Sequence, residues 1–250
     1  MKWNSSLYDS SHEFVSRFGE GILGYLNPKT GERVLDLGCG TGDLTKSIKD
    51  AGVAVIGIDG SSEMIARAQE KFADIDFRVA DARDMKLDVT FDAIFSNAVL
   101  HWIPDQDKVA QQMNAHLKPG GRIVVEFGGK GNNQQMIDAL HSIFKDRGYN
   151  TNASINAWFF PSIAEYSTIL ERHGFRVILM EHFGRPTPLK GVNGIKDWFK
   201  MFGDKLFTDI PEPVKEDILN EVQIRLEPTH LLDGVWIADY KRIRAIAIKE

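Results

Sequence analysis

The stretch that decides the fold is Val34-Leu35-Asp36-Leu37-Gly38-Cys39-Gly40-Thr41-Gly42, followed by the amphipathic segment Asp43–Lys49. An apolar run, a glycine-rich turn and a 3.6-residue pattern predict a buried strand that leads into a helix. Glycines permit positive φ and remove side chains where a ligand must approach the backbone. The first strand-to-helix turn of an open parallel sheet is also where nucleotide-like ligands bind. We therefore expect a ligand at Gly38, Gly40 and Gly42, with Cys39 as a small buried filler.

Short apolar runs alternate with amphipathic segments through the first half of the chain, which predicts a doubly wound α/β fold with a mostly parallel sheet. The predicted strands are Arg33–Leu37, Val53–Asp59, Ile75–Asp81, Phe91–Asn97 and Gly121–Phe127. The predicted helices are Gly42–Ala51, Ser62–Phe72 and Asp107–Leu117. Ser61 or Ser62 suits the N-cap of the second helix.

The second half is less regular. It predicts helices at Ser162–His173, Val192–Phe202 and Glu212–Leu226, with strands at Phe175–Phe183 and Tyr240–Lys249. The proline-rich stretch Arg185–Leu189 is expected to interrupt the regular structure. No repeat or linker divides the chain, so residues 1–250 are predicted to form a single domain. Within it we expect an N-terminal lid helix region (residues 1–28) and an inserted helical cap (residues 184–232).

Composition narrows the possible partners. The formal net charge of −5 gives no basic field for a nucleic acid. One cysteine excludes an internal disulfide, and the scattered histidines lack metal-ligand spacing, so no metal is expected. The start of the sequence does not resemble a signal peptide, and no run of about 18 apolar residues predicts a membrane span. A reducing cytoplasm, a small-molecule partner and no membrane partner are therefore predicted.

Three aspartates follow the predicted strands at similar spacing. Asp36 is the penultimate residue of the first, Asp59 ends the second and Asp81 ends the third. Each residue alone could be an ordinary helix cap or turn aspartate. Together they would reach one edge of a parallel sheet, where a carboxylate such as that of Asp59 can accept hydrogen bonds from ribose hydroxyls.

At this point the motifs resemble the class I S-adenosylmethionine-dependent methyltransferases. The residues that carry the resemblance are Val34–Gly42, Val55–Asp59, Val79–Ala82, Phe91–Trp102 and Leu117–Val125. The resemblance implies a seven-stranded sheet with a final antiparallel strand, and a donor-binding core over residues 29–128. It also implies that S-adenosylmethionine is the cofactor and S-adenosylhomocysteine the product. The donor-binding residues would be Asp36, Gly38, Cys39, Gly40, Gly42, Asp59, Gly60, Met64, Asp81, Ala82 and Asn97.

Two alternatives concern the same glycine turn. A nicotinamide or flavin oxidoreductase would carry G-x-G-x-x-G and bind a pyrophosphate. Here the pattern is Gly38-x-Gly40-x-Gly42, and the upstream Asp36 would repel a pyrophosphate but suits the ammonium of a methionine. A non-catalytic donor-binding protein is the second alternative, although the donor motifs are intact.

The acceptor side is predicted at the end of the fourth strand, around His101 and Trp102. His101 could be a general base, or both residues could simply form a wall of the donor pocket. A second resemblance, to the trans-aconitate methyltransferase group, rests on Trp3–Tyr8, Trp158–Ser162 and Arg185–Leu189, among other segments. It implies esterification of a small polycarboxylic acid. Candidate substrate-binding residues are Trp3, Tyr8, His12, Trp102 and Arg185. A hydroxyl, an amine, a nucleic acid or a protein remains an alternative acceptor.

Overall fold

A central β-sheet organises the chain in a computed structural model that describes residues 21–149 and 158–250. The spatial order of its main path is β3-β2-β1-β4-β5-β8-β6. The strands are β1 (Arg33–Leu37), β2 (Ala54–Asp59), β3 (Asp76–Val79), β4 (Phe91–Asn97), β5 (Leu117–Gly128), β6 (Phe175–Leu189), β7 (Leu231–Leu232) and β8 (Val235–Lys249). The two-residue β7 pairs antiparallel with β8, beside that path.

The strands that carry the predicted donor motifs are all parallel. β1 lies between β2 and β4, β3 pairs with β2, and β5 pairs with β4. The sheet as a whole is mostly parallel with a few antiparallel strands. The predicted α/β class and the seven strands of the main path are therefore confirmed within the described part of the chain.

Helices separate most of these strands. They are α1 (Asp43–Asp50), α2 (Ser62–Lys71), α3 (Gln106–His116), α4 (Gln134–Asp146), α5 (Ile163–Arg172), α6 (Gly194–Phe202) and α7 (Glu212–His230). Ser61, one of the two predicted candidates, caps α2 by accepting from the Met64 backbone N–H. Ser162 and Glu165 form a reciprocal capping box at α5, which satisfies two backbone donors at that helix start.

Two segments differ from their predicted structure. β6 continues through Pro186 and Pro188, where an interruption was expected. Because β6 is the last strand of the sheet order, an edge position tolerates prolines that lack a donor N–H. The helix α4 was not predicted, although Met136, Leu140 and Ile143 are buried at helical spacing.

The two faces of the sheet pack against different helices. One face packs against the helical residues 21–26 and α1. The buried side chains of that cluster are Ile22, Leu26, Val34, Ile48, Val53, Ala93, Phe95 and Val124. On the other face, the Phe127 ring contacts Tyr166 of α5 with centroids 4.8 Å apart. Because side chains alternate along a strand, Asp36 points to the same face as Val34.

The chain divides into two compact units. Among the described residues, the first contains 21–127, 161–181 and 243–250, and the second contains 128–149, 158–160 and 182–242. β1 to β4 and α1 to α3 belong to the first unit, while α4, α6 and α7 belong to the second. The predicted bounds of the lid, the core and the cap remain predictions.

Candidate active site

Asp36 is a buried acid near the carboxyl end of β1. Its side chain accepts a hydrogen bond from Thr45 Oγ1 at 2.6 Å, and the residue is 2% exposed. Burial raises the pKa of Asp36 to about 7, more than the Thr45 hydrogen bond lowers it, and the nearby Asp59 also raises it. A carboxylate in this setting gains from a cation placed beside it.

The glycine turn after Asp36 is fixed by backbone contacts. The N–H groups of Gly38 and Cys39 both donate to the Ile58 carbonyl, at 2.7 and 2.9 Å. Gly38 has φ +80°, and a Cβ there would overlap the Val99 side chain. The turn therefore requires glycine at position 38 because the β4 end packs directly against it.

Gly40 is different because its surroundings are open. It has φ +55°, and a Cβ at this position would meet nothing within 4 Å. Its N–H donates to Asp59 Oδ2 at 3.0 Å, and Asp59 Oδ1 accepts from the Ser61 N–H at 2.8 Å. Burial raises the pKa of Asp59, although both hydrogen bonds oppose the shift. The ends of β1 and β2 thus form a small acidic recess with open space at Gly40.

Cys39 lies inside this turn and is buried. Burial raises the pKa of its thiol, and the neighbouring Asp36 and Asp59 raise it further. A thiol that resists ionisation is a poor nucleophile. These properties agree with the role of a small buried filler.

The end of β3 has another environment. The strand ends at Val79, two residues before the predicted end, and the Ala80 N–H donates to the Asp59 carbonyl. Asp81 is exposed and accepts hydrogen bonds from the Arg83 guanidinium at 2.6 to 3.1 Å. Those hydrogen bonds lower the pKa of Asp81. The backbone thus joins the ends of β2 and β3, while the Asp81 carboxylate is paired with a neighbouring cation.

Three other residues that were predicted to bind the methyl donor lie near the same strand ends. Ala82 is 8% exposed, and Met64, in the first turn of α2, is 4% exposed. Gly60 is exposed between β2 and α2, and a Cβ there would meet nothing within 4 Å.

The turn after β4 carries the predicted acceptor-side residues of the first unit. Asn97 ends β4, and Ala98 takes a left-handed conformation with φ +60°. A short 3₁₀ helix follows, Leu100–Trp102, in which His101 is 7% exposed and lies 5.2 Å from the Trp102 ring centroid. His101 therefore belongs to a packed turn that starts at the carboxyl end of β4.

The other predicted substrate residues belong to other parts of the chain. Trp3, Tyr8 and His12 lie outside the described residues. Arg185 lies on β6 in the second unit, with its guanidinium 5.2 Å from the Phe183 ring centroid. Their predicted roles remain predictions.

Several polar residues of the first unit were missed by the sequence analysis. Thr45 was not identified, although a polar residue on the inner face of α1 was a usable signal. Glu126 and Arg244 form a buried ion pair at the end of β5. A lone charge in the apolar run Ile123–Phe127 could have drawn attention to Glu126, but nothing local could have named its partner.

Across residues 21–149 and 158–250, no group of three or more His, Cys, Asp and Glu side chains is arranged to hold a metal ion. None of the described helices combines the length and apolarity required to cross a membrane.

Known proteins are similar to this chain in sequence. Residues 34–121 match the protein family described as a methyltransferase domain. The chain is 31% identical to an uncharacterized methyltransferase of Schizosaccharomyces pombe, over 99% of this chain and 98% of the relative. It is 25% identical to a trans-aconitate 2-methyltransferase of Variovorax paradoxus, over 100% of this chain and 99% of the relative.

Solved structures agree with the fold. A methyltransferase candidate from Bacillus halodurans superposes with a TM-score of 0.64 at 17% identity, over 92% of this chain and 97% of that one. A phosphoethanolamine N-methyltransferase 2 of Haemonchus contortus superposes with a TM-score of 0.57 at 20% identity. That superposition covers 93% of this chain and 52% of the other, which was solved with phosphomonomethylethanolamine and S-adenosylhomocysteine.

The chain belongs to the class I S-adenosylmethionine-dependent methyltransferases. It is an enzyme of this class, its methyl donor is S-adenosylmethionine, and it resembles the trans-aconitate methyltransferase group. The residues at the strand ends fit this donor. A buried carboxylate at Asp36 suits a cationic amino acid, and the open space at Gly40 leaves room for a ligand against the backbone.

Proposed function

We propose that this enzyme methylates a carboxylate oxygen of a small polycarboxylic acid, and that the recess formed by Asp36, Gly40 and Asp59 holds the donor. The observation that carries the donor part is the buried Asp36 beside the open Gly40. The acceptor part is supported by the match to a trans-aconitate 2-methyltransferase over nearly the full length of both chains.

Each donor-binding residue has a distinct task in this proposal. Asp36 pairs with the ammonium of the methionine part, and the turn Gly38–Gly42 gives that part close access to the backbone. Asp59 accepts from the ribose hydroxyls. The adenine is contacted by Met64, Gly60, Asp81 and Ala82, and Asn97 lies towards the reacting end.

The chain's own contribution to the reaction is mostly to hold and orient its ligands. When bound, S-adenosylmethionine supplies an electrophilic methyl group that the acceptor takes in a single in-line displacement. A carboxylate acceptor is ionised at neutral pH and needs no base. His101 and Trp102 therefore form a wall that excludes water and aligns the acceptor. Trp3, Tyr8, His12 and Arg185 are proposed to bind the acceptor, Arg185 through a charged pair with a carboxylate.

A hydroxyl or amine acceptor is the second candidate. A structural neighbour solved with phosphomonomethylethanolamine shows that this fold also occurs in an enzyme named for an amine substrate. An acceptor that must lose a proton gives His101 a different task, because a buried imidazole at the end of β4 could take that proton.

The test is incubation of the full chain with methyl-labelled donor and separate panels of polycarboxylic acids, amines and phenols. A methyl ester releases labelled methanol in mild alkali, whereas an N-methyl product does not. We expect alkali-labile label with polycarboxylic acids only. Label transferred only to amines or phenols would overturn the ester proposal. Donor binding without transfer to any panel would favour the non-catalytic alternative.

Substitution of His101 separates the two mechanisms. With a carboxylate acceptor, His101→Gln should keep kcat within about fivefold, because positioning is then its main task. With a protonated acceptor, loss of a general base should lower kcat by about 10²-fold or more. The matched control is His116→Gln, on the partly buried last turn of α3 in the same unit.

A further inference from the structure

A largely buried ion pair lies near the end of β5, outside the set of residues proposed to hold the donor. Glu126 is 1% exposed, and its Oε2 accepts hydrogen bonds from Arg244 Nε at 3.0 Å and Nη2 at 2.7 Å. Arg244 also donates from Nη1 to Glu181 at 3.1 Å, and its guanidinium lies 4.4 Å from the Tyr25 ring centroid. Burial is the largest single influence and lowers the pKa of Arg244, but the hydrogen bonds and charge of Glu126, together with Tyr25 and Glu181, raise it overall.

Such a pair is costly to build in the interior. Desolvation of two charges often offsets their mutual attraction, so a buried ion pair is weak support for stability. The arrangement fixes an orientation instead, because the guanidinium is held by two carboxylates and one ring. Glu126 is therefore held in one position at the carboxyl end of the sheet.

Glu126 is directly linked to the turn after β4. It lies opposite Asn97 in the β4–β5 register, and its backbone carbonyl accepts from the Ala98 N–H at 2.7 Å. Ala98 has φ +60°, a conformation that non-glycine residues hold only when their surroundings enforce it. The hydrogen bond from Ala98 to Glu126 is one of the contacts that enforce it.

The turn that contains Ala98 adjoins both the donor turn and the predicted acceptor wall. Val99 packs on Gly38 of the donor turn so closely that no Cβ fits there. The 3₁₀ helix with His101 and Trp102 follows at once. A change in the position of Glu126 would therefore be transmitted to the donor turn and to the acceptor wall.

We propose that Glu126, held by Arg244, is a positioning residue for methyl transfer that acts through the strained Ala98 turn. It affects the rate of transfer more than the affinity for the donor, because Asp36 and Asp59, the acids proposed to contact the donor, lie on β1 and β2. Misplacement of reacting groups by about 1 Å can cost about 10²-fold in rate. This role depends on the methyltransferase reaction and not on which acceptor is used.

The chain offers a matched control four residues earlier on the same face of β5. Arg122 donates from Nη1 and Nη2 to the two carboxylate oxygens of Glu32, both at 2.8 Å. That pair is also largely buried, with side chains 21% and 18% exposed. Arg122 lies opposite Ala93, four residues before the Asn97–Glu126 pair in the β4–β5 register, so Arg122→Gln tests the general effect of losing an ion pair on this strand.

The experiment compares Arg244→Gln, Arg244→Lys, Glu126→Gln and Arg122→Gln in the full chain. Four quantities are measured: kcat with the acceptor that the wild-type enzyme methylates, the Kd for S-adenosylhomocysteine, amide hydrogen exchange at Ala98, and the melting temperature. For Arg244→Gln we expect kcat to fall at least about tenfold, Kd to change less than about threefold, and Ala98 exchange to accelerate about tenfold or more. Arg244→Lys should recover part of each loss.

Arg122→Gln should lower the melting temperature and leave kcat and Ala98 exchange unchanged. The proposal is overturned if Arg244→Gln lowers kcat no more than Arg122→Gln does, or if Ala98 exchange stays at the wild-type rate. Should Arg244→Gln fail to fold, Glu126→Gln decides, because it keeps the side-chain shape and must still accelerate Ala98 exchange. Amide exchange at Ala98 and the Kd for S-adenosylhomocysteine are measured without any acceptor. Failure of the ester proposal is therefore distinguishable from failure of the role proposed for Glu126.

Discussion

The ends of β1 and β2 differ sharply from the end of β3, although each strand has an aspartate at or shortly after its end. Asp36 and Asp59 are buried or half-buried, their pKa values are raised, and Asp59 is hydrogen-bonded to the glycine turn. Asp81 is exposed, its pKa is lowered, and it pairs with Arg83. Equal spacing therefore does not mean an equal environment. A cationic or hydroxyl-bearing ligand should therefore stabilise the carboxylates of Asp36 and Asp59 most and that of Asp81 least.

The largest effect is expected at Gly38, which ties the donor turn to β4. Gly38→Ala adds a Cβ that overlaps Val99 at a positive φ, so unfolding free energy should fall by about 3 kcal/mol. Position 40 also has a positive φ, but a Cβ there would lie in open space, so Gly40→Ala should lose only about 1 kcal/mol of unfolding free energy. The added methyl group should weaken S-adenosylhomocysteine binding about tenfold or more. Urea unfolding and calorimetry measure both. Equal losses of unfolding free energy in the two variants would contradict the claim that Gly38 is crowded by Val99 while Gly40 is open.

The next effect is on donor affinity at the end of β1. Asp36→Asn removes the buried charge, so the Kd for S-adenosylhomocysteine should rise about 100-fold, or ~2.7 kcal/mol. The free variant should be more stable than the wild type above pH 7, because it has no buried group to ionise. A Kd within threefold of the wild-type value would show that Asp36 does not contact the donor.

A smaller effect is expected at the end of β2. Asp59→Asn keeps one oxygen acceptor but replaces the other carboxylate oxygen by an NH2 donor, so it cannot accept from both the Gly40 and Ser61 N–H groups and from two ribose hydroxyls. Calorimetry should show a Kd about tenfold higher. The same titration with adenosine alone should lose a similar factor, since the proposed contact is with the ribose. An unchanged adenosine affinity would remove Asp59 from the ribose site.

The smallest effect is expected at the end of β3. Asp81→Asn should change the Kd less than about threefold, because the exposed carboxylate is already paired with Arg83 and screened by solvent. A loss of affinity as large as that of Asp59→Asn would mean that the end of β3 contributes as much to donor binding as the end of β2, contrary to the difference described above.

The parts of the molecule that could be predicted are those fixed by local chemistry. The bounds of β1, the Ser61 cap and the glycine turn follow from short-range patterns. The continuation of β6 through Pro186 could not be predicted, because tolerance of proline depends on an edge position known only from the sheet order. The Glu126–Arg244 pair joins residues 118 positions apart, and no local pattern connects them. The Asp81–Arg83 pair, by contrast, is local and could have been anticipated.

The pH dependence of the free enzyme follows from the same recess. Asp36 has a folded pKa of about 7, above its usual value of 3.8. The folded state therefore holds a proton that the unfolded chain releases at lower pH. The contribution of this group to stability is greatest below the unfolded pKa and is lost as the pH rises through about 7. Asp36→Asn should remove this component from the wild-type stability–pH curve.

The most direct test of the account is the proton balance of donor binding near pH 6. At that pH Asp36 is mostly protonated in the free enzyme, and a cationic ammonium beside it should drive off the proton. Calorimetry of S-adenosylhomocysteine binding in buffers of different ionisation enthalpy should show release of nearly one proton by the wild type and none by Asp36→Asn. The same proton balance in both proteins would contradict the claim that the end of β1 binds the donor.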